Sequence, residues 1–254
     1  MVLLRLISLP YRRFKNEVFF QDLLKSIAIL VMIIDHAGFY FFPEELWLRA
    51  IGRVSAPIWF FFVGYNYKFS NTHLDQIFYF AVFLQLIICF VGNNSLFPLN
   101  ILFTIIISKR ILAYYEQYIK NASVGTMFLV ALVIVLYSPT NNFTQYGILG
   151  VYMSLWGYHY KHRIGNKLNQ LLLSFILIFI TQSQVFNFAI SEQIIFVILL
   201  CLTKYALYVY SPIKLNINGL LKYIINISSR YSLYIYCMHV ILFITLSKYI
   251  ENAN

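Results

Sequence analysis

The chain has 254 residues, 61% of them apolar and 11% charged, and its 19 Lys and Arg against 9 Asp and Glu give a formal charge of +10. A soluble domain carries about a quarter charged residues. The composition therefore excludes a soluble enzyme and a nucleic-acid-binding module, whose basic residues must cluster on one folded face. It also excludes a disulfide scaffold, because Cys89, Cys201 and Cys237 all lie inside apolar runs.

Residues 1–18, with Arg5 inside a short apolar stretch and Arg12, Arg13 and Lys15 behind it, read as a cytoplasmic interfacial arm rather than a removable signal. Apolar runs follow at 19–42, 50–67, 74–91, 96–112, 124–137, 146–160, 168–186, 194–210 and 231–246. A bilayer needs about 20 residues per helix. The expected architecture is thus an all-α polytopic transmembrane helix bundle of about nine spans (eight to ten) embedded in membrane lipid. Residues 19–249 form a single transmembrane domain, and 250–254 a short tail. The run at 216–229 carries Leu220, Leu221, Ile224 and Ile225 at helical spacing, opposite Lys222 and Asn226, and is expected to lie along the cytoplasmic interface.

With the N-terminus in the cytoplasm, 15 of the 19 basic residues, Lys109 and Lys204 among them, fall in cytoplasmic segments. Arg49 and Lys248 fall outside, with Glu44, Glu45, Glu192 and Glu251. No internal repeat and no interrupted helix pair is visible, which gives the architecture of many secondary transporters no support.

An ionisable residue inside a span costs at least a few kcal/mol by insertion scales, so each one is a functional candidate. The first span carries Asp35 and His36. A carboxylate beside an imidazole can fix its tautomer and raise its basicity, as a general base requires. Adjacent helical residues diverge by about 100°, however, so either group can instead pair with a neighbouring helix. Arg53 is the evident partner, with Arg49 one turn earlier on the same face and Gly52 and Ala56 offering a close-packing surface. A guanidinium at that depth can neutralise Asp35, bind an anionic group or stabilise an oxyanion.

Lys25, eleven residues before His36, shares its face near the cytoplasmic end and either meets a phosphate or snorkels. In the last span Ser232, Tyr236 and His239 form one polar stripe facing protein or a cavity. No spacing of His, Cys and carboxylates suggests a metal site. The expected site is one polar cavity between the first, second and last spans.

The residues that carry a resemblance are Leu24-Lys25-Ser26-Ile27-Ala28 leading to Met32-Ile33-Ile34-Asp35-His36, then Ile51-Gly52-Arg53, Pro57 and Gly64-Tyr65-Asn66. With Asn100 to Thr104, Tyr146 to Val151, and the ending from Arg230 to Tyr236 with His239, they resemble the TraX family, and the ending also resembles the broader membrane acyltransferases. Ser55-Ala56 before Pro57, and Lys109-Arg110 within an apolar stretch, depart from the family pattern. The resemblance implies a multi-pass protein of the bacterial inner membrane, associated with conjugation, that acetylates a pilin N-terminus. By the same resemblance acetyl-CoA is the donor and the acceptor is an amine or another cell-envelope group. His36 with Asp35 would then be the acid/base pair or acetyl carrier, and Arg53 would hold the acceptor or the thioester oxygen. Lys25, Arg49, Ser232, Tyr236 and His239 would line the substrate and coenzyme sites. A proton-coupled transporter using the same buried groups, and a non-catalytic component of a conjugation or pilus apparatus, are the competing readings.

Overall fold

The computed structural model describes residues 17–68, 71–92, 95–118, 140 and 142–253. The expected arm at 1–18 lies almost wholly, and the expected fifth span at 124–137 wholly, outside the described residues. Every other expected span is occupied by a helix. In chain order these are α1 (Phe20–Phe41), α2 (Leu46–Gly52) with α3 (Ser55–Tyr65), α4 (Asn71–Phe90), α5 (Ile101–Tyr118), α6 (Gly147–His162), α7 (Lys167–Phe186) and α8 (Ile190–Tyr208). A helix α9 (Gly219–Arg230) then precedes α10 (Ser232–Ala253). Among the described residues, Phe20–Phe41, Leu46–Tyr65, Ile190–Tyr208 and Ser232–Ala253 are long and apolar enough to cross a membrane, and Leu74–Phe90 and Lys167–Ser183 add shorter apolar helices.

The second span runs over Leu46–Tyr65 with a two-residue turn at Arg53 and Val54, whose backbones both stay right-handed helical. Pro57 has no N–H to offer the carbonyl of Arg53, one helical turn back, so the helix stops at Arg53 and restarts at Ser55. Proline is tolerated in the first turn of α3, where the N–H would lack an intrahelical partner anyway.

Helices α3 and α6 form the centre. Every residue of α6 from Gly147 to Tyr160 is buried. Between apolar helices in lipid there is little hydrophobic driving force, so association relies on close packing and on small residues that let backbones approach. A Cβ on Gly64 would sit 1.6 Å from the Ser154 carbonyl oxygen, and one on Gly157 would sit 2.0 Å from that of Phe61. These two glycines, one on each helix, bring the backbones into contact. Asn100 joins α4 to α5. Its amide donates to the Ala81 carbonyl (2.8 Å), and its Oδ1 accepts from the N–H of Leu102 (3.1 Å) as a cap of α5.

At one end of the bundle a two-residue strand β1 (Val18–Phe19) pairs antiparallel with β2 (Lys214–Leu215). Helix α9 packs on α1, where the hydroxyl of Ser228 donates to that of Ser26 (2.7 Å). Leu220, Leu221, Tyr223 and Ile224 are exposed along it, as an interfacial helix requires. Asn226 and Ile225, however, are both buried, so the face expected to carry Asn226 outward turns into the protein.

Two basic residues also lie elsewhere than expected. Lys204 belongs to α8 rather than to a loop; it is buried, donates to Ser174 Oγ (2.8 Å) and lies over the Trp156 ring. Arg49 points into the bundle rather than outward, because a buried carboxylate lies within its reach.

Candidate functional site

Gly52 determines how closely α2 approaches α1. A Cβ there would lie 2.1 Å from the Cβ of Asp35, so only glycine lets the end of α2 rest on that residue. The contact brings both arginines onto one carboxylate oxygen. Arg49 Nη1 lies 3.1 Å and Arg53 Nη2 3.2 Å from Asp35 Oδ2, with the three side chains between 8% and 13% exposed. Arg49 also donates to the backbone carbonyl of Asp35 (2.7 Å), and Arg53 to the hydroxyl of Tyr146 (2.9 Å). The Phe186 ring lies 4.4 Å from the Arg53 guanidinium and 5.2 Å from that of Arg49. Both guanidiniums are held against aromatic faces, which favour cations.

His36 does not pair with Asp35. Successive residues on a helix do not face each other, and while Asp35 turns toward α2, His36 turns toward α10. Its Nδ1 lies 2.6 Å from Nε2 of His239. The Nδ1 of His239 in turn lies 2.7 Å from the carbonyl oxygen of Ile235. The Phe243 ring meets His239 edge-on at 5.7 Å, and Tyr236 lies against both imidazoles.

Among the described residues two cavities meet beside this centre, where a single one was expected. One, of about 240 Å3, is lined by Asp35, His36, Arg49, Arg53 and Tyr146. The other, of about 460 Å3, is mainly apolar and carries Lys25, Lys68, Lys109 and Arg230. Met32, Trp59, Ile101 and Tyr236 line both, so these four side chains are the partition between a basic cavity and the ionic one. The indole N–H of Trp59, on that partition, is buried with no hydrogen-bond partner among the described residues.

The candidates from sequence therefore divide. Asp35, His36, Arg49 and Arg53 line the ionic cavity, Lys25 and Ser232 line the basic one, and Tyr236 borders both. His239 lines neither and stands behind His36. Among the described residues no group of three or more His, Cys, Asp or Glu could hold a metal ion.

Sequence reasoning missed Tyr146, Trp59 and Lys109. Tyr146 has φ +64°, a left-handed conformation rare for a bulky residue and one that marks stored strain. Its sequence signals were the Tyr-Gly pair at the start of α6 and its place in the Tyr146 to Val151 block. Trp59 looked like one more apolar residue in its span. Lys109 carried a signal, the charge within an apolar stretch, which the basic cavity explains.

Fold and site define a polytopic helical membrane protein with a buried ionic cluster lining one cavity and an imidazole pair beside it. The chain belongs to the TraX family: the family profile described as "TraX protein" matches residues 20–247. Among curated proteins it is similar to an uncharacterized protein of Rickettsia prowazekii, 32% identical over 248 residues, with 92% of this chain and 96% of that one aligned. It is also similar to Protein TraX of Escherichia coli K12, 27% identical over 161 residues covering 60% of each chain. No solved structure matches it.

Proposed function

We propose that this protein is an integral membrane acetyltransferase that moves an acetyl group from acetyl-CoA to an amine, such as a pilin N-terminus, or to another cell-envelope acceptor. The observation that carries this reading is the pair of cavities meeting at Met32, Trp59, Ile101 and Tyr236, one basic and one holding His36 beside an ionic cluster. In this reading the basic end faces the cytoplasm and the ionic cavity the other face of a bacterial inner membrane, which the excess of basic residues in the expected cytoplasmic segments supports. The family membership fits a place in conjugation or pilus biogenesis.

The donor's thioester supplies an activated acetyl group. Lys25, Lys68, Lys109 and Arg230 suit its phosphates, since clustered lysine and arginine both recognise phosphate and raise the local concentration of an anion. The apolar walls below them suit its uncharged arm. On the far side of the partition, His36 takes the proton of the attacking amine, a step worth typically 10²–10⁴-fold. Arg49 and Arg53, as fixed donors lining the cavity, stabilise the negative charge that develops on the acetyl oxygen. Trp59 adds a donor at the junction.

The turn at Arg53–Val54 beside buried charges is the feature nearest to a transporter, a class in which discontinuous helices recur. Release of free coenzyme A from acetyl-CoA by the purified protein in nanodiscs, with and without a pilin-like N-terminal peptide, separates the two. Peptide-dependent release that disappears in His36→Ala is the expected result. Absence of both release and acetyl-CoA binding would reject the transferase.

A further inference from the structure

We propose that His239 is a positioning residue that fixes the tautomer of His36, so that His36 presents Nε2 as the basic nitrogen. The argument runs outward from a backbone carbonyl. The Nδ1 of His239 faces the carbonyl oxygen of Ile235 at 2.7 Å, and a carbonyl oxygen only accepts, so the proton of neutral His239 sits on Nδ1. Its Nε2 is then a lone pair, and the atom 2.6 Å away, Nδ1 of His36, must donate to it. Neutral His36 thus carries its proton on Nδ1, which leaves Nε2 unprotonated on a side chain that lines the ionic cavity. The hydrogen bond made by one ring nitrogen decides the state of the other.

His239 holds this arrangement without touching a substrate. It is buried, lines neither cavity and is braced by the Phe243 ring edge. Asp35, the group expected to orient His36, is held by the two arginines instead. The imidazole of α10 therefore takes the part that a carboxylate plays in the hydrolase triads.

What the tautomer does in a reaction rests on the transferase reading above. The acceptor nitrogen's lone pair bonds to the thioester carbon and the carbon–sulfur bond breaks. The acceptor's proton passes to His36 Nε2, while the His36 Nδ1 proton shifts toward His239 Nε2, spreading the positive charge over two rings. His36 then returns a proton to the departing thiolate and the pair is restored.

The test reads the tautomer directly. Protein carrying isotope-labelled histidine is reconstituted in nanodiscs, and the His36 ring nitrogens are assigned by their loss in His36→Gln. The expected nitrogen NMR spectrum shows His36 protonated on Nδ1 and bare on Nε2. A wild-type His36 protonated on Nε2 alone would overturn the proposal without any variant. In His239→Leu, which offers no acceptor, His36 is expected to become a mixture of tautomers. In His239→Glu, whose carboxylate accepts, the single tautomer returns. An unchanged His36 spectrum in His239→Leu would equally overturn the proposal.

Kinetically, His239→Leu lowers kcat about 10²-fold or more with KM for acetyl-CoA unchanged, and His239→Glu recovers most of it. A glutamate variant as slow as the leucine variant would refute a positioning role. If the tautomers behave as described and no variant or wild type releases coenzyme A, the transferase reading fails and the assignment of His239 stands.

Discussion

Asp35 is the residue on which the centre depends, because among the described residues it is the one carboxylate lining the ionic cavity and it faces two guanidiniums. Removing one partner of a buried ion pair strands the other, at about 3–5 kcal/mol. Asp35→Ala is therefore expected to lower the thermal unfolding midpoint of the detergent-solubilised protein substantially, whereas His36→Ala abolishes acetyl transfer with a small effect on that midpoint. An Asp35→Ala protein as stable as wild type would show that the cluster is not held as described. Sequence made Asp35, His36 and Arg53 visible, since charge in an apolar run needs an explanation. It could not show that Asp35 and His36 part company, because which way each side chain turns depends on the helix that arrives beside it. The part Tyr146 and Trp59 play was illegible for a related reason: aromatic residues are so common here that neither stands out until a cavity singles it out.

At the scale of elements, small residues and one proline set the site. Gly52→Ala would place a methyl group on Asp35, forcing α2 away from α1. Overpacking of this kind costs about 1–3 kcal/mol, and here the displacement also draws Arg53 off the carboxylate. Gly52→Ala is expected to lower both stability and coenzyme A release, while Gly219→Ala, which meets nothing within 4 Å although its φ of +68° strains any side chain, should leave the site's activity intact. Equal activity in Gly52→Ala and wild type would contradict the close approach. The helices themselves were legible from apolar runs. The turn at Arg53 and Val54 in the second span was not, although Pro57 stood in plain view. A proline near a span's beginning reads equally well as a first-turn residue of an unbroken helix until the chain before it proves helical too.

For the whole molecule, the account requires two faces with different access. Lys109 belongs to the basic cavity, and Gln182, near the end of α7, to the ionic one. In a background lacking the three native cysteines, Lys109→Cys is expected to react with a membrane-impermeant maleimide from the cytoplasmic side, and Gln182→Cys from the opposite side. Labelling of both from one face would show that the cavities open the same way. Charge distribution made the basic end readable in advance. It could not show that the interior divides into two chambers, because the partition is formed by side chains from α1, α3, α5 and α10 that are far apart in sequence.

The central claim is that an acetyl group crosses the partition at Trp59 and Tyr236. It is tested most directly in proteoliposomes of known orientation, with radiolabelled acetyl-CoA supplied only at the basic end and a pilin-like peptide only at the other. Labelled peptide under this two-sided arrangement, lost in His36→Ala, is the predicted result. Label that reaches the peptide only when donor and acceptor share one side would contradict it.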